Sequence, residues 1–288
     1  MKMTFPITPT TARLIEVAEV AFINAQIQGA RQLFPNDGFL AEPVGGGVAA
    51  VTKLSFGRKL NHVAGFGMDG TVTENGLGTI ERLYENIGVP PEINLCPFAH
   101  PSAMEVLNAR GYKICAEMNV YAISLAEYKT DSEDGATANG KRSGDNASET
   151  TISHVTPEEH GTFIELSSAG FQSGNPQSDL FHTLAGTATI RPDTRLYFAR
   201  INGQIAGTAG MAILNTPLGR VAELYIDSTV PDFRGKGIQL ALLRARLAEA
   251  KDDGCDLAAV TTWPTGTSAR NVERAGFRLA YKKDVYTM

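Results

Sequence analysis

Residues 230–239 read VPDFRGKGIQ and join a predicted strand to a predicted amphipathic helix. Two glycines, Gly235 and Gly237, alternate with Arg234 and Lys236, so we expect a loop whose backbone N–H groups are exposed at a helix N-terminus. The first N–H groups of a helix have no partner within the helix, and the helix dipole favours an anion beside them. The segment therefore predicts a phosphate site, with a pyrophosphate or a nucleotide phosphate as the natural ligand.

Two other phosphate-binding motifs do not account for this segment. A Walker loop needs a Gly, four further residues and then Gly-Lys-Ser/Thr, which the chain lacks. A dinucleotide fingerprint needs a third glycine where Leu240 stands. Residues 65–70 read GFGMDG and fit the GxGxxG pattern, but they lie within and just after a predicted strand and open no helix. A Rossmann-type site is therefore disfavoured.

The surrounding pattern predicts a mixed domain, α+β in class, in the second half of the chain. Apolar residues at spacings of three and four mark a long helix, and Asn202-Gly203 marks a tight hairpin. The predicted helices cover 157–169, 178–188, 235–253 and 271–275, and the predicted strands cover 195–200, 204–215, 220–228, 256–262, 278–281 and 284–287. We expect a mostly antiparallel sheet flanked by helices. Arg244 and Arg246 are expected on the solvent side of the long helix.

The first half of the chain is similar to the second. Three pairs of segments match in the same order: residues 100–121 with 265–286, 68–72 with 226–230, and the Gly-x-Gly segments 76–78 with 235–237. The longest match has no gap when Gly111 is placed opposite Gly276. The nearly constant offset favours a tandem repeat. We predict a degenerate copy over residues 1–128, a flexible linker over 129–150 and a second copy over 151–288.

Composition limits the class of protein. Of 288 residues, 43% are hydrophobic and 20% are charged, and the formal net charge of −5 disfavours general nucleic-acid binding. Residues 131–151 are nearly free of apolar side chains, which predicts the linker. No apolar run reaches the roughly 18 residues of a membrane span. Three cysteines without a CxxC pair disfavour disulfides and a zinc site. We expect a cytoplasmic monomer or homodimer without metal, membrane or nucleic-acid ligands.

Residues 151–288 resemble the GNAT superfamily, the acetyl-CoA-dependent N-acetyltransferases. The family's pyrophosphate loop is Gln/Arg-x-x-Gly-x-Gly/Ala, and it corresponds here to residues 232–237, with Asp232 at the first position. Main-chain N–H groups supply most of the phosphate contacts, so this departure weakens the motif only in part. The segment from Asn271 to Phe277 also fits the family's pattern. The resemblance implies two GNAT-like domains, each with a splayed mixed sheet.

The resemblance also implies acetyl-CoA as the cofactor and assigns residues to its parts. The strand before the loop would pair with the pantetheine arm through its exposed backbone. The implied cofactor-binding residues are Asp227, Ser228, Thr229, Arg234, Gly235, Lys236, Gly237, Ile238, Gln239 and Asn271. For Asn271 an alternative is that its side chain merely starts the short helix.

Glu223 is the candidate general base. It lies on the strand that ends at Thr229, where the resemblance places a catalytic Glu that takes a proton from the amine. The alternative is a surface glutamate paired with Arg220 or Arg195.

The general acid is less well defined by the sequence. The family often carries a Tyr on the short helix, four residues before its Gly, and Val272 stands at that position. Tyr225 and Tyr281 are candidates to protonate the departing thiolate, although tyrosines in strands are commonly core residues.

The first half keeps the two glycines of the loop and loses its positive charge. Residues 73–78 read TENGLG, in which Glu74 is acidic and neither Arg nor Lys is present. We predict one acetyl-CoA site, in the second copy, while the first copy shapes the acceptor pocket or acts as a built-in dimer partner. The implied reaction is acetyl transfer to a primary amine of a small molecule or peptide. The alternative is a non-catalytic acyl-CoA-binding or regulatory protein.

Overall fold

The computed structural model describes residues 7–129, 150–171 and 178–288. The helices are α1 (Pro9–Leu33), α2 (Gly57–Leu60), α3 (Glu74–Glu85), α4 (Pro101–Ala109), α5 (His160–Phe171), α6 (Ser178–Ile190), α7 (Ile238–Asp252) and α8 (Thr267–Arg274). The strands are β1 (Leu40–Val44), β2 (Gly47–Val51), β3 (His62–Ala64), β4 (Ile93–Leu95), β5 (Lys113–Ser124), β6 (Thr150–His154), β7 (Thr194–Ile201), β8 (Gln204–Thr216), β9 (Gly219–Thr229), β10 (Leu257–Thr262) and β11 (Arg278–Thr287).

Within the described residues the strands form one sheet of eleven, in the order β1-β2-β3-β4-β11-β5-β10-β9-β8-β7-β6. The pairs β3–β4 and β9–β10 are parallel, and the other neighbours are antiparallel. This confirms the predicted mixed fold with helices flanking a mostly antiparallel sheet. The sheets of the two halves are joined edge to edge, which the sequence pattern did not predict.

The last strand of each half crosses to the other half. Strand β5 pairs with β10 of the second half, β11 pairs with β4 of the first half, and β5 and β11 pair with each other. Met118 lies opposite Lys283 in this central pair, and the same two residues match in the aligned repeat. The sequence alignment and the strand register therefore pair the same two residues. An approximate two-fold axis that relates β5 to β11 passes through this pair.

Burial follows the same repeat. Leu107 and its match Val272 are buried, and so are Tyr112 and its match Phe277. Ile114 and its match Leu279 are both exposed, at 53% and 45%. These three matched pairs therefore have similar burial in the two halves, and the repeat stays a prediction.

Strand β11 is one continuous strand, whereas the sequence analysis predicted two strands separated near residues 282–283. The charged pair Lys282-Lys283 has the composition of a turn, but Lys283 is fully buried and forms ion pairs with Glu16 and Glu19 of α1. The matching part of the first half likewise forms one continuous strand, β5. The carboxylates of α1 thus stabilise the Lys283 charge inside the protein, where solvent would stabilise it in an exposed turn.

The boundaries of three further elements differ from the prediction. Helix α7 begins at Ile238, so residues 235–237 remain in the loop. Helix α8 begins at Thr267, earlier than expected. Thr150 already lies in β6, at the edge of the sheet, while residues 130–149 of the predicted linker fall outside the described residues.

Helix α1 connects the two halves. Its first turns bury Ala12, Ile15 and Ala18 in a cluster with strand residues from both halves, and its later turns bury Ile23 and Ile27 against the first half and α6. This packing places the middle of α1, including Glu19, over the sheet next to β9. No helix within the described residues combines the length and the apolar character that crossing a membrane requires.

Candidate active site

Strands β9 and β10 separate after a short parallel contact. Their pairing ends at Glu223 and Ala259, yet β9 continues to Thr229 and β10 continues to Thr262 without pairing to each other. The gap opens into a cavity of about 1100 Å³ that both strand ends line. Because strand edges at such a gap present free backbone groups, an extended ligand arm can pair there as a strand would.

A β-bulge lies on the wall of this cavity. The pairing of β8 with β9 passes from Gly210–Tyr225 to Thr208–Ser228 and skips the residues between them. Ile226 within the bulge has a φ of 53°, an unfavourable conformation for a β-branched residue. Such strain persists where the surrounding structure fixes it, and bulges often redirect side chains at functional sites.

The loop at the start of α7 has the geometry of an anion site. Gly235 and Gly237 both have a φ of 79°, which only glycine adopts without strain, and a Cβ at either position would meet no atom within 4 Å. Gly237 is the N-cap of α7, and no side chain of the described residues caps this end. The first N–H groups of α7 are therefore available to an anion.

The structure brings most of the sequence-predicted cofactor residues together. Nine of the ten line the cavity: Asp227, Ser228, Thr229, Arg234, Gly235, Gly237, Ile238, Gln239 and Asn271. Lys236 is exposed, does not line the cavity, and lies 4.8 Å from the centre of the Phe233 ring. Asn271 lies inside α8 and donates from Nδ2 to Gln239 Oε1 at 2.8 Å, so it links α8 to the first turn of α7.

Arg246 is fully buried, which corrects the expectation of a solvent-facing side chain. Its guanidinium pairs with both carboxylate oxygens of Asp227 and donates from Nη1 to the Gly210 carbonyl at 2.8 Å. The sequence contained a signal for this position, because Arg246 follows Leu242 by four residues and Leu243 by three, on the apolar face of α7. Arg246 therefore holds the bulged segment of β9 against α7.

Glu223 is a partly buried carboxylate on the cavity wall. It has no hydrogen-bond or ion-pair partner in the part of the chain that the structure describes. Burial and, to a smaller extent, the nearby Glu19 carboxylate raise the pKa of Glu223 to about 8, against the opposing effect of Lys283. A carboxylate whose pKa is raised toward the working pH can act as a general base once it is deprotonated. Neither Arg220 nor Arg195 pairs with it, since Arg195 binds Glu249 and Asp253 and Arg220 donates to the Asp253 carbonyl.

The two candidate tyrosines lie in different surroundings. Tyr225 lines the cavity two residues after Glu223, and its hydroxyl lies 2.8 Å from Thr194 Oγ1. Burial raises the pKa of Tyr225, so this phenol keeps its proton at neutral pH. Tyr281 is buried outside the cavity lining, and its hydroxyl donates to Glu16 Oε1 at 2.6 Å. The geometry therefore brings Tyr225 to Glu223 and leaves Tyr281 in the core.

The first half supplies a wall of the cavity, and the sequence analysis did not identify the residues that form it. Its lining residues include Glu19, Arg58, Lys59, His62, Asn94 and Met118. The Arg58 guanidinium lies 4.5 Å above the Trp263 ring, so the two halves are in contact across the cavity. These residues come from four separate segments and form no local motif, so only the folded chain reveals them.

Comparison with known proteins agrees with this geometry. Residues 162–277 match the family model described as the Acetyltransferase (GNAT) family. The curated proteins contain no significant match to the chain.

Solved structures share the fold over nearly the whole chain. A GCN5-related N-acetyltransferase from Kribbella flavida is 16% identical, with a TM-score of 0.61 over 94% of this chain and 95% of its own. A conserved protein of unknown function from Staphylococcus epidermidis ATCC 12228 is 12% identical, with a TM-score of 0.54 over 89% and 96%. A GCN5-related N-acetyltransferase from Sphaerobacter thermophilus is 14% identical, with a TM-score of 0.51 over 98% and 93%. The arrangement of both halves is therefore shared with known structures.

Proposed function

We propose that this chain transfers the acetyl group of acetyl-CoA to a primary amine of a small molecule or peptide. One observation carries the proposal: the gap between β9 and β10 leads from an uncapped glycine loop to a partnerless glutamate. The loop would hold the pyrophosphate, the free edge of β9 would pair with the pantetheine arm, and the thioester would then lie near Glu223.

The residues of this chain supply both proton transfers of the reaction. Glu223 removes a proton from the ammonium group, and the freed amine attacks the thioester carbonyl to form a tetrahedral oxyanion. When the C–S bond breaks, the attacking nitrogen releases its second proton to solvent, and Tyr225 protonates the departing thiolate and regains its own proton from solvent. The products are an N-acetyl amide, free CoA and one proton. Tyr281 takes no part in this proposal, because its hydroxyl is committed to Glu16.

We further propose that residues 1–128 are a degenerate copy of residues 151–288 that binds no acetyl-CoA. In the first half the Gly-x-Gly segment is helical and carries no positive charge. The first half contributes the acceptor side of the cavity instead. A cytoplasmic monomer or homodimer remains our prediction.

A non-catalytic acyl-CoA-binding or regulatory role is the second candidate. It is favoured by Val272, which stands where the family often has its acidic Tyr and is buried at 1% exposure. Turnover of acetyl-CoA with an amine acceptor would distinguish the acetyltransferase from the regulatory protein.

The test is release of free CoA thiol from acetyl-CoA in the presence of a panel of primary amines. We expect amine-dependent release by the wild type and a loss of rate in Glu223→Gln with acetyl-CoA binding retained. Glu105→Gln is the matched control, because Glu105 is an exposed glutamate on α4 outside the cavity lining. Binding of acetyl-CoA without turnover on any amine would favour the regulatory role.

A further inference from the structure

The cavity wall facing β9 carries two polar groups that the acetyl donor does not explain. Glu19 projects from α1 and Asn94 from β4, and both line the cavity. They belong to the first half of the chain, whereas the donor-binding loop and Glu223 belong to the second half.

Glu19 is held in place by a buried lysine. Lys283 has no exposed surface and forms ion pairs with Oε2 of Glu19 and, at 2.7 Å, with Oε1 of Glu16. The same Oε1 of Glu16 accepts the Tyr281 hydroxyl. Lys283 thus orients Glu19 on the side of the cavity, while burial raises the pKa of Glu16 deeper in the cluster. The second oxygen of Glu19, Oε1, has no hydrogen-bond partner within residues 7–129, 150–171 and 178–288.

Asn94 presents a second unsatisfied acceptor. Its side chain is 5% exposed, and its Oδ1 atom is buried without a hydrogen-bond partner in the described part of the chain. Buried amide oxygens are nearly always paired, so an orphaned one on a cavity wall indicates a missing donor. Together with Glu19 Oε1 it offers two acceptors, one of them charged, which is the pattern that recognises an ammonium group.

The remainder of the acceptor side combines an apolar surface with the polar or charged side chains of Gln26, Arg58, Lys59 and His62. Phe22 and Ile23 of α1 and Leu184 of α6 line the cavity next to Glu19. Burial lowers the pKa of His62, so this neighbour is uncharged at neutral pH. Arg58, a cation on the same wall, pairs with Glu92 and lies on Trp263.

We propose that Glu19 and Asn94 bind the ammonium group of the acceptor, and that this acceptor is a primary monoamine with an apolar body. The inference rests on the proposed acetyl transfer and adds the substrate class. A carboxylate next to the amine, as in an α-amino acid, would face the Glu19 carboxylate and be repelled.

The test is calorimetric titration of 2-phenylethylamine into protein saturated with CoA, which lacks an acetyl group and permits no turnover. We expect Glu19→Gln to weaken amine binding roughly 10-fold or more and Asn94→Leu to weaken it several-fold, as expected for hydrogen bonds to a charged group. Phenylalanine should bind at least ~10-fold more weakly than 2-phenylethylamine, because its carboxylate is repelled. Glu105→Gln should bind the amine as the wild type does.

Several results would overturn the proposal: no amine binding to the wild type, unchanged amine binding in both cavity variants, or phenylalanine binding as tightly as the amine. Thermal unfolding of each variant identifies a loss of fold, and Asn94→Leu decides the matter if Glu19→Gln does not fold. Titration of the same samples with acetyl-CoA distinguishes failure of the proposed acetyl transfer from failure of the proposed amine site. Failure of acetyl-CoA to bind the wild type counts against the proposed function, whereas normal donor binding with unchanged amine binding counts only against the assignment of Glu19 and Asn94.

Discussion

The two Gly-x-Gly segments of the chain have opposite conformations. In the second half Gly235 and Gly237 have positive φ and form a loop before α7 begins. In the first half residues 76–78 lie inside α3, and the Thr73 side chain already accepts the Gly76 N–H at 3.3 Å. A helix N-terminus capped by its own threonine offers fewer N–H groups to an anion. Of the two Gly-x-Gly segments, only the one in the second half thus has the uncapped geometry that we propose for a phosphate site.

The strand ends beside these two segments also differ between the halves. In the second half β9 and β10 separate and leave an open cavity. In the first half Gly67 accepts the His100 N–H at 2.8 Å, and a Cβ at Gly67 would lie 2.8 Å from the Ala103 Cβ. The gap is closed there by the start of α4. In the aligned repeat Glu223 stands opposite Gly65, so the first half also lacks the base. We therefore propose that the catalytic residues lie in the second half and that the first half lines the acceptor side of the cavity.

The largest expected effect is on catalysis by Glu223. Because burial raises its pKa to about 8, the carboxyl is protonated below that pH and cannot accept the proton of the amine. We expect kcat/KM to rise about tenfold per pH unit up to about 8 and then to level off. Glu223→Gln should lower the rate ~10²–10⁴-fold and remove this limb. An identical pH–rate profile in the variant would exclude Glu223 as the base.

The second comparison concerns two matching aspartates. Asp227 pairs with the fully buried Arg246, whereas its match Asp69 pairs at 2.7 Å with Arg13, and both of those side chains are more than half exposed. We expect Arg246→Met to lower the free energy of unfolding by about 3–5 kcal/mol, because a buried carboxylate loses its partner. Arg13→Met should cost about 0–1 kcal/mol. Denaturant unfolding measures both, and equal costs would show that the Asp227 pair is not buried in solution.

A smaller effect is expected on donor binding. Gly237→Val places a β-branched residue at a φ of 79°, which distorts the loop and directs a side chain toward the anion. We expect acetyl-CoA affinity to fall at least ~10-fold, in line with the strain at such a position. Equilibrium dialysis with labelled acetyl-CoA measures it, and unchanged affinity would place the pyrophosphate elsewhere.

The smallest effect comes from the matching position in the first half. Gly78 is helical, and an added Cβ would make only an ordinary contact, 3.7 Å from Arg82 Nη1. Gly78→Ala should therefore raise the free energy of unfolding by about 0.4–1 kcal/mol and leave donor binding unchanged. A loss of donor affinity in this variant would mean that the first half takes part in donor binding.

Features that depend on residues close together in the sequence could be predicted. The glycine loop, the Asn202-Gly203 hairpin and the position of Glu223 follow from local patterns, and all three are present in the fold. The exchange of β5 and β11 could not be predicted, because either strand satisfies the same apolar pattern in either half. Lys283 has the local composition of a turn, and only its distant partner Glu16 explains its burial. Residues that meet through such long-range contacts leave no local signal.

The central claim is that donor binding belongs to the second half alone, and the most direct test is the stoichiometry of acetyl-CoA binding by calorimetry. The account predicts one site per chain, retained in Gly78→Ala and severely weakened in Gly237→Val. Two sites per chain, or one site that persists unchanged in Gly237→Val, would contradict it.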